Sequence, residues 1–133
     1  MILIEKDTTN TVILTLSEKT TLTDAVYLFE VTCDESGEVK CFIAEDISTN
    51  KYRYNEFEFI ENVTEDLLNG TFSLTLQGFY KYNVYEQSST TNLDPTLATN
   101  LIDKGKLKCF VTETEAPTYS GNQTTTVVYN GNQ

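Results

Sequence analysis

The chain has 133 residues, a formal charge of −11 and neither His nor Trp. Its length suits one domain with a core of its own. The charge argues against nucleic acid or an anionic membrane surface as a direct partner, because both recruit clustered Lys and Arg. Lack of His removes the commonest general base, the Ser–His triads and most zinc sites.

Period-2 alternation runs through the chain, and eight Tyr, seven Phe and abundant Thr favour strands. Residues 2–5 read as a first strand. In 11–16, Val12, Leu14 and Leu16 share a face, while Ile13 breaks the polar one and predicts that it is partly covered. After the polar turn 17–24, the strongest strand covers 25–34, with Tyr27, Phe29, Val31 and Cys33 inward. Val39, Cys41 and Ile43 line the next strand. A three-residue loop with Gly37 left-handed would pair odd with odd residues and keep both apolar faces together.

In 51–61, Tyr52 and Tyr54 are out of phase with Phe57 and Phe59, which predicts a bulge or a turn at Asn55-Glu56. A loop follows at 62–70, with one helical turn at Thr64–Leu68. Phe72, Leu74 and Leu76 then pair with Tyr80, Tyr82 and Val84 in a hairpin that turns at Gln77-Gly78-Phe79. Asp94-Pro95 starts a short helix over 96–104 that ends near Gly105. The last core strand is 106–113, with Leu107, Cys109 and Val111 inward and Lys106 and Lys108 outward.

The segment 114–133 is different, being rich in Thr, Asn and Gln. YSGNQ at 119–123 recurs as YNGNQ at 129–133, on either side of TTTVVY. An arm that adds a strand to a neighbouring chain fits Val127, Val128 and Tyr129 better than a frayed end does. The expectation is an all-β, antiparallel sandwich of immunoglobulin-like type. It has seven to eight strands over 1–113 and an extended arm over 114–133.

The chemistry is sparse. Cys33, Cys41 and Cys109 are an odd count without regular spacing, so they read as free inward thiols and not as a disulfide framework. Free thiols suit assembly in a cytoplasm. The opening MILIEKDTTN has no basic region and no long apolar run, so it does not read as a signal peptide. The acidic pairs Asp34/Glu35, Glu45/Asp46, Glu56/Glu58 and Glu65/Asp66 read as solvated carboxylates, not as a glycosidase pair. Glu45, Asp46 and Asn50 lack the six or more oxygens that calcium requires. No catalytic, cofactor or metal site is expected. Phe79 and Phe110 in the body, and Tyr119, Val127, Val128 and Tyr129 in the arm, are the candidate partner contacts.

Charge is unevenly spread. Residues 1–68 hold fifteen acids and five bases, whereas 69–133 hold five and four, with none beyond Glu115. A solvated acidic face that keeps the protein soluble accounts for this, and a neutral end that meets a partner while the acidic end faces water is the alternative.

The stretches DTTNTVILTLSEKTTL (7–22) and AVYLFEV (25–31) resemble a small structural protein of crAss-like and related tailed phages. So do YRYNEFEFIE (52–61), YNVYEQSSTTNLDPTLATNLIDKGKLKCF (82–110) and VVYNG (127–131). The resemblance implies a virion component assembled in a host cytoplasm, in contact with the major capsid protein and neighbouring virion subunits. An auxiliary capsid protein that decorates the shell is the first expectation. A head-fibre, neck or tail component is the second, and a stand-alone glycan or host-attachment module the third.

Overall fold

The computed structural model describes residues 1–112. Its strands are β1 (Ile2–Glu5), β2 (Thr9–Leu14), β3 (Val26–Cys33), β4 (Val39–Ala44), β5 (Asn55–Glu61), β6 (Thr71–Phe72), β7 (Gly78–Gln87) and β8 (Asn100–Phe110). Two 3₁₀ turns, Ser17–Lys19 and Pro95–Leu97, lie in the connections. One sheet runs β1-β8-β7-β3-β4 and the other β2-β5-β6. Pairing is antiparallel except between β1 and β8 and between β5 and β6. The all-β sandwich that period-2 alternation predicts is the fold found.

Aromatic rings join the two sheets. Phe29 and Phe42 from the larger sheet meet Phe57, Phe59 and Phe72 from the smaller, and all five are essentially buried. Phe42 stacks on Phe72 with centroids 4.1 Å apart, and Phe59 meets Phe29 and Phe42 edge-on at 4.9 and 5.0 Å. Stacked and edge-to-face rings each add about 0.5–1.5 kcal/mol beyond the area they bury. Tyr80, Tyr82, Val84, Leu107 and Cys109 extend this core along β7 and β8.

Several expectations are corrected. Phe29 faces Phe42 and Tyr27 faces Ala44, so odd residues of β3 oppose even residues of β4. The turn is the four residues Asp34–Gly37, with Gly37 at φ +78° and its N–H donating to Cys33 O at 2.9 Å. Both faces of β4 are apolar, so alternation alone could not choose; the large Phe42 ring takes the core. Val39 is therefore exposed and Cys41 half-buried on the outer face, whereas Cys33 and Cys109 are buried as expected. All three thiols are free.

There is no hairpin over 72–84. Phe72 belongs to the smaller sheet, the chain crosses between sheets at 73–77, and Phe79 lies within β7. The helix predicted over 96–104 is a 3₁₀ turn followed by β8, because cross-strand pairing with β7 overrides local helix signals. Thr64–Leu68 is irregular and carries only an isolated bridge at Asp66. The turn before β5 falls at Lys51–Arg53, so Asn55 is already in phase with Phe57 and Phe59, and Tyr52 is 94% exposed. Ile13 and Val111 are about half exposed, not covered or inward.

Gly70 shows how closely this corner is packed. It sits at φ +75°, and a Cβ there would lie 2.8 Å from the Glu58 carbonyl oxygen. Gly70→Ala is expected to cost about 1–3 kcal/mol through clash and backbone strain. The denaturation midpoint measures it; an unchanged midpoint would mean that the 62–70 connection simply shifts.

Candidate functional site

Polar or exposed groups concentrate in several places. The first is the end of the sandwich where the 15–25 and 45–54 connections meet. An open cleft of about 820 Å³ lies between them, with Tyr27, Asp46, Ser48, Asn50, Tyr52 and Asn55 in its lining. Its floor is largely self-satisfied. Asn55, buried at the start of β5, accepts from the Leu16 and Ser17 N–H groups at 2.6 and 3.2 Å. Its amide donates to Asp46 Oδ2 at 2.7 Å. Asp46 Oδ1 accepts from the N–H groups of Ser48 and Glu56. Burial raises the Asp46 pKa, but these bonds outweigh it and hold the carboxyl below its ordinary range. Asp46 is thus occupied in bracing the loop and not free to ligate calcium. Among the described residues, no three His, Cys, Asp or Glu side chains are grouped to hold a metal.

Next come two buried carboxylates that sequence reasoning missed, in different sheets and with no partner in common. Glu61, at the end of β5, is 1% exposed, and Glu86, near the end of β7, is fully buried. Glu61 accepts from the Asp7 and Leu74 N–H groups at 2.8 and 2.9 Å and pairs with Lys6 at 3.3 Å. Glu86 accepts from the Thr21 N–H at 2.8 Å and hydroxyl at 2.7 Å. It also accepts from the Leu22 N–H at 3.1 Å and the Asn100 amide at 2.7 Å. Burial pushes both pKa values up, but the donors outweigh it and bring both below the usual range. A general acid needs a raised pKa; these carboxylates are held ionised as clasps for loops. The signal was present, since Glu61 follows Phe57 and Phe59 in phase and Glu86 follows Tyr82 and Val84.

The last place is the outer face of the larger sheet. At one end, Gln87 fastens the 88–99 connection through Ser89 and Asn92. Leu28 and Ile43 are buried on that outer face. Burial, with Glu30 and Asp94 nearby, pushes the Cys41 thiol up to about 11, so it is a poor nucleophile. At the other end, Phe79 and Leu3 are 48% and 56% exposed. Lys81, Lys106 and Lys108 stand among them, with Lys81 opposite Lys106 and Phe79 opposite Lys108. Lys108 Nζ lies 5.7 Å from the Phe79 ring centre. Lys106 pairs with Asp34 at 2.5 Å.

Of the partner contacts predicted from sequence, Phe79 is an exposed strand residue, and Phe110 is half-buried opposite Glu5 at the end of β8. The two share the outer face. Tyr119, Val127, Val128 and Tyr129 lie outside the described residues, as does the arm 114–133. The four acidic pairs do not converge: Glu56 and Glu58 lie on the outer face of the smaller sheet, and Glu65 pairs with Lys40 at 2.5 Å. Comparison with protein-family models, curated proteins and solved structures finds no significant match.

Proposed function

We propose that this chain is a non-enzymatic assembly protein, and specifically a structural component of a tailed-phage virion that decorates the major capsid shell. One observation carries the assembly role: among the described residues, an apolar and basic surface around Leu3, Phe79, Lys81 and Lys108 is exposed on the larger sheet. Exposed aromatic residues are frequent anchors of protein contacts, and the lysines around Phe79 supply charge complementarity at its rim. The virion placement rests on the sequence resemblance, and a head-fibre or neck position is the alternative within it. An immunoglobulin-like assignment fits the strand order, since β3, β7 and β8 share one sheet and β2 and β5 the other, as C, F, G and B, E do.

Phe79→Asp should leave the fold intact and reduce incorporation into particles at least tenfold when it competes with the unaltered chain. Equal incorporation would remove Phe79 from the contact.

A glycan-binding role is the second reading, favoured by the end cleft. Ser48 Oγ is buried there without a hydrogen-bond partner among the described residues, and Tyr52 stands exposed at its rim. Saturable sugar binding that Tyr52→Ala abolishes would establish it; no binding across a glycan panel would dismiss it.

A further inference from the structure

The two outer faces of the sandwich differ in charge: four lysines outnumber Glu5 and Glu30 on the larger sheet, whereas the smaller sheet presents carboxylates alone. On the larger sheet, alternation places Lys104, Lys106 and Lys108 of β8 on the same face as Lys81 of β7. These are all four bases of residues 69–133. Lys81 sits directly opposite Lys106, a like-charge pairing that weakens a sheet. Among the described residues, only Lys106 of the four has a carboxylate partner. On the smaller sheet, Glu56 and Glu58 point outward, opposite Ile13 and Thr11. No Lys or Arg occurs in β2, β5 or β6. Each face also exposes apolar side chains: Leu3 and Phe79 on the basic side, Ile13 at 54% exposure on the acidic side.

We infer that the partner for the basic face is the acidic face of a second copy of this chain. The inference rests on reading the Phe79 face as an assembly surface, and not on the virion placement. Such a contact is head-to-tail: the two surfaces differ, so each added copy presents a fresh face of either kind, and the series stays open unless its rotation closes a ring. It also brings carboxylates to Lys81, Lys104 and Lys108, which have none within the described residues, whereas Lys106 is already paired with Asp34.

Size sets the strength. Three strands about 4.8 Å apart, the longest of seven residues at about 3.4 Å each, offer a face of roughly 15 by 24 Å, about 350 Å². That is smaller than the roughly 800 Å² per partner of a stable complex, so the contact is weak and acts where copies are already concentrated. The net charge of −11 opposes approach at low salt. At physiological ionic strength the screening length of about 8 Å suppresses that long-range repulsion and leaves touching pairs in place.

The test is sedimentation equilibrium of the full chain at physiological salt, up to millimolar protein, with two double variants. Lys81→Glu/Lys108→Glu reverses the basic face, and Glu56→Lys/Glu58→Lys the acidic one. All four positions are outward, so both variants should stay folded, and the variant carrying Lys81→Glu should gain slightly in midpoint because it replaces a like-charge pair with an opposite-charge one. The parent chain should gain mass beyond a dimer as concentration rises. Each variant alone should stay monomeric, and an equimolar mixture should associate again because complementary faces are restored. A parent chain that stays monomeric overturns the inference. So does association that survives in either variant alone, or a monomer whose lysine face instead retains duplex DNA. None of these outcomes bears on whether particles contain the chain.

Discussion

Phe42→Ala is expected to destabilise the protein by about 3–5 kcal/mol, the usual cost of removing a fully buried ring. Phe42 is the hinge of the aromatic core: it stacks on Phe72 at 4.1 Å and on Phe29 at 5.4 Å, and meets Phe59 edge-on. Truncation removes ring contacts to both sheets at once and leaves a cavity bounded by rigid strands that cannot collapse into it. Denaturant unfolding should show a much lower midpoint, or a protein already unfolded at room temperature. Phe42→Leu keeps most of the volume and should cost about 1–2 kcal/mol. Phe79→Ala, at an exposed site, should stay within about 0.5 kcal/mol of the parent. A small loss at Phe42 would mean that the register placing it opposite Phe29 is wrong.

The second large effect concerns Glu86. Glu86→Ala leaves two backbone N–H groups and the Asn100 amide without their acceptor. The expected loss is about 2–4 kcal/mol, because bonds to a charged group are strong and their orphaned donors are costly. Its pH signature separates a clasp from a packing defect. The folded pKa of Glu86 lies below its unfolded value. The stability that this difference supplies is therefore present above the unfolded carboxylate pKa, about 4.3, and is lost as pH falls through the folded value. Glu61 and Asp46 shift in the same direction and add to the same acid limb. The parent should lose stability steeply below about pH 4.3, whereas Glu86→Gln should begin less stable and fall less steeply. Parallel curves for the two would contradict an ionised clasp.

Much of the fold could be read in advance because its strands alternate cleanly. Tyr27, Phe29, Val31 and Cys33 of β3 all face the core or its margin as their spacing required. The register of β4 could not be read, since Val39, Cys41 and Ile43 looked as inward as Phe42 and Ala44. Only the volume available between the sheets decides such a strand. Local turn signals misled at 72–84: Gln77-Gly78 resembles a hairpin turn, but the chain uses this stretch to change sheets. The Asp94-Pro95 signal was sound, with Asp94 capping Thr96 at 2.9 Å, yet it starts only one turn.

The candidate site was partly legible. Phe79 is legible as an exposed contact, although the sequence signals a turn there and the structure places it within β7. The lysine stripe was half visible in the outward phase of Lys106 and Lys108; Lys81 joins it only through the β7–β8 register. Buried Glu61 and Glu86 are hard to see because acidic residues are mostly solvent-facing, and Asn55 because the phase shift beside it points to a bulge or turn. Their in-phase spacing with Phe57, Phe59 and Val84 marked them as inward, and an inward polar residue must have partners.

Quantitative mass spectrometry of purified tailed-phage particles from the source, counting this chain against the major shell protein, tests the central claim most directly. The account predicts a ratio near one copy per shell subunit. A handful of copies per particle would move the protein to a fibre or neck, and its absence from the particle would contradict the virion role altogether.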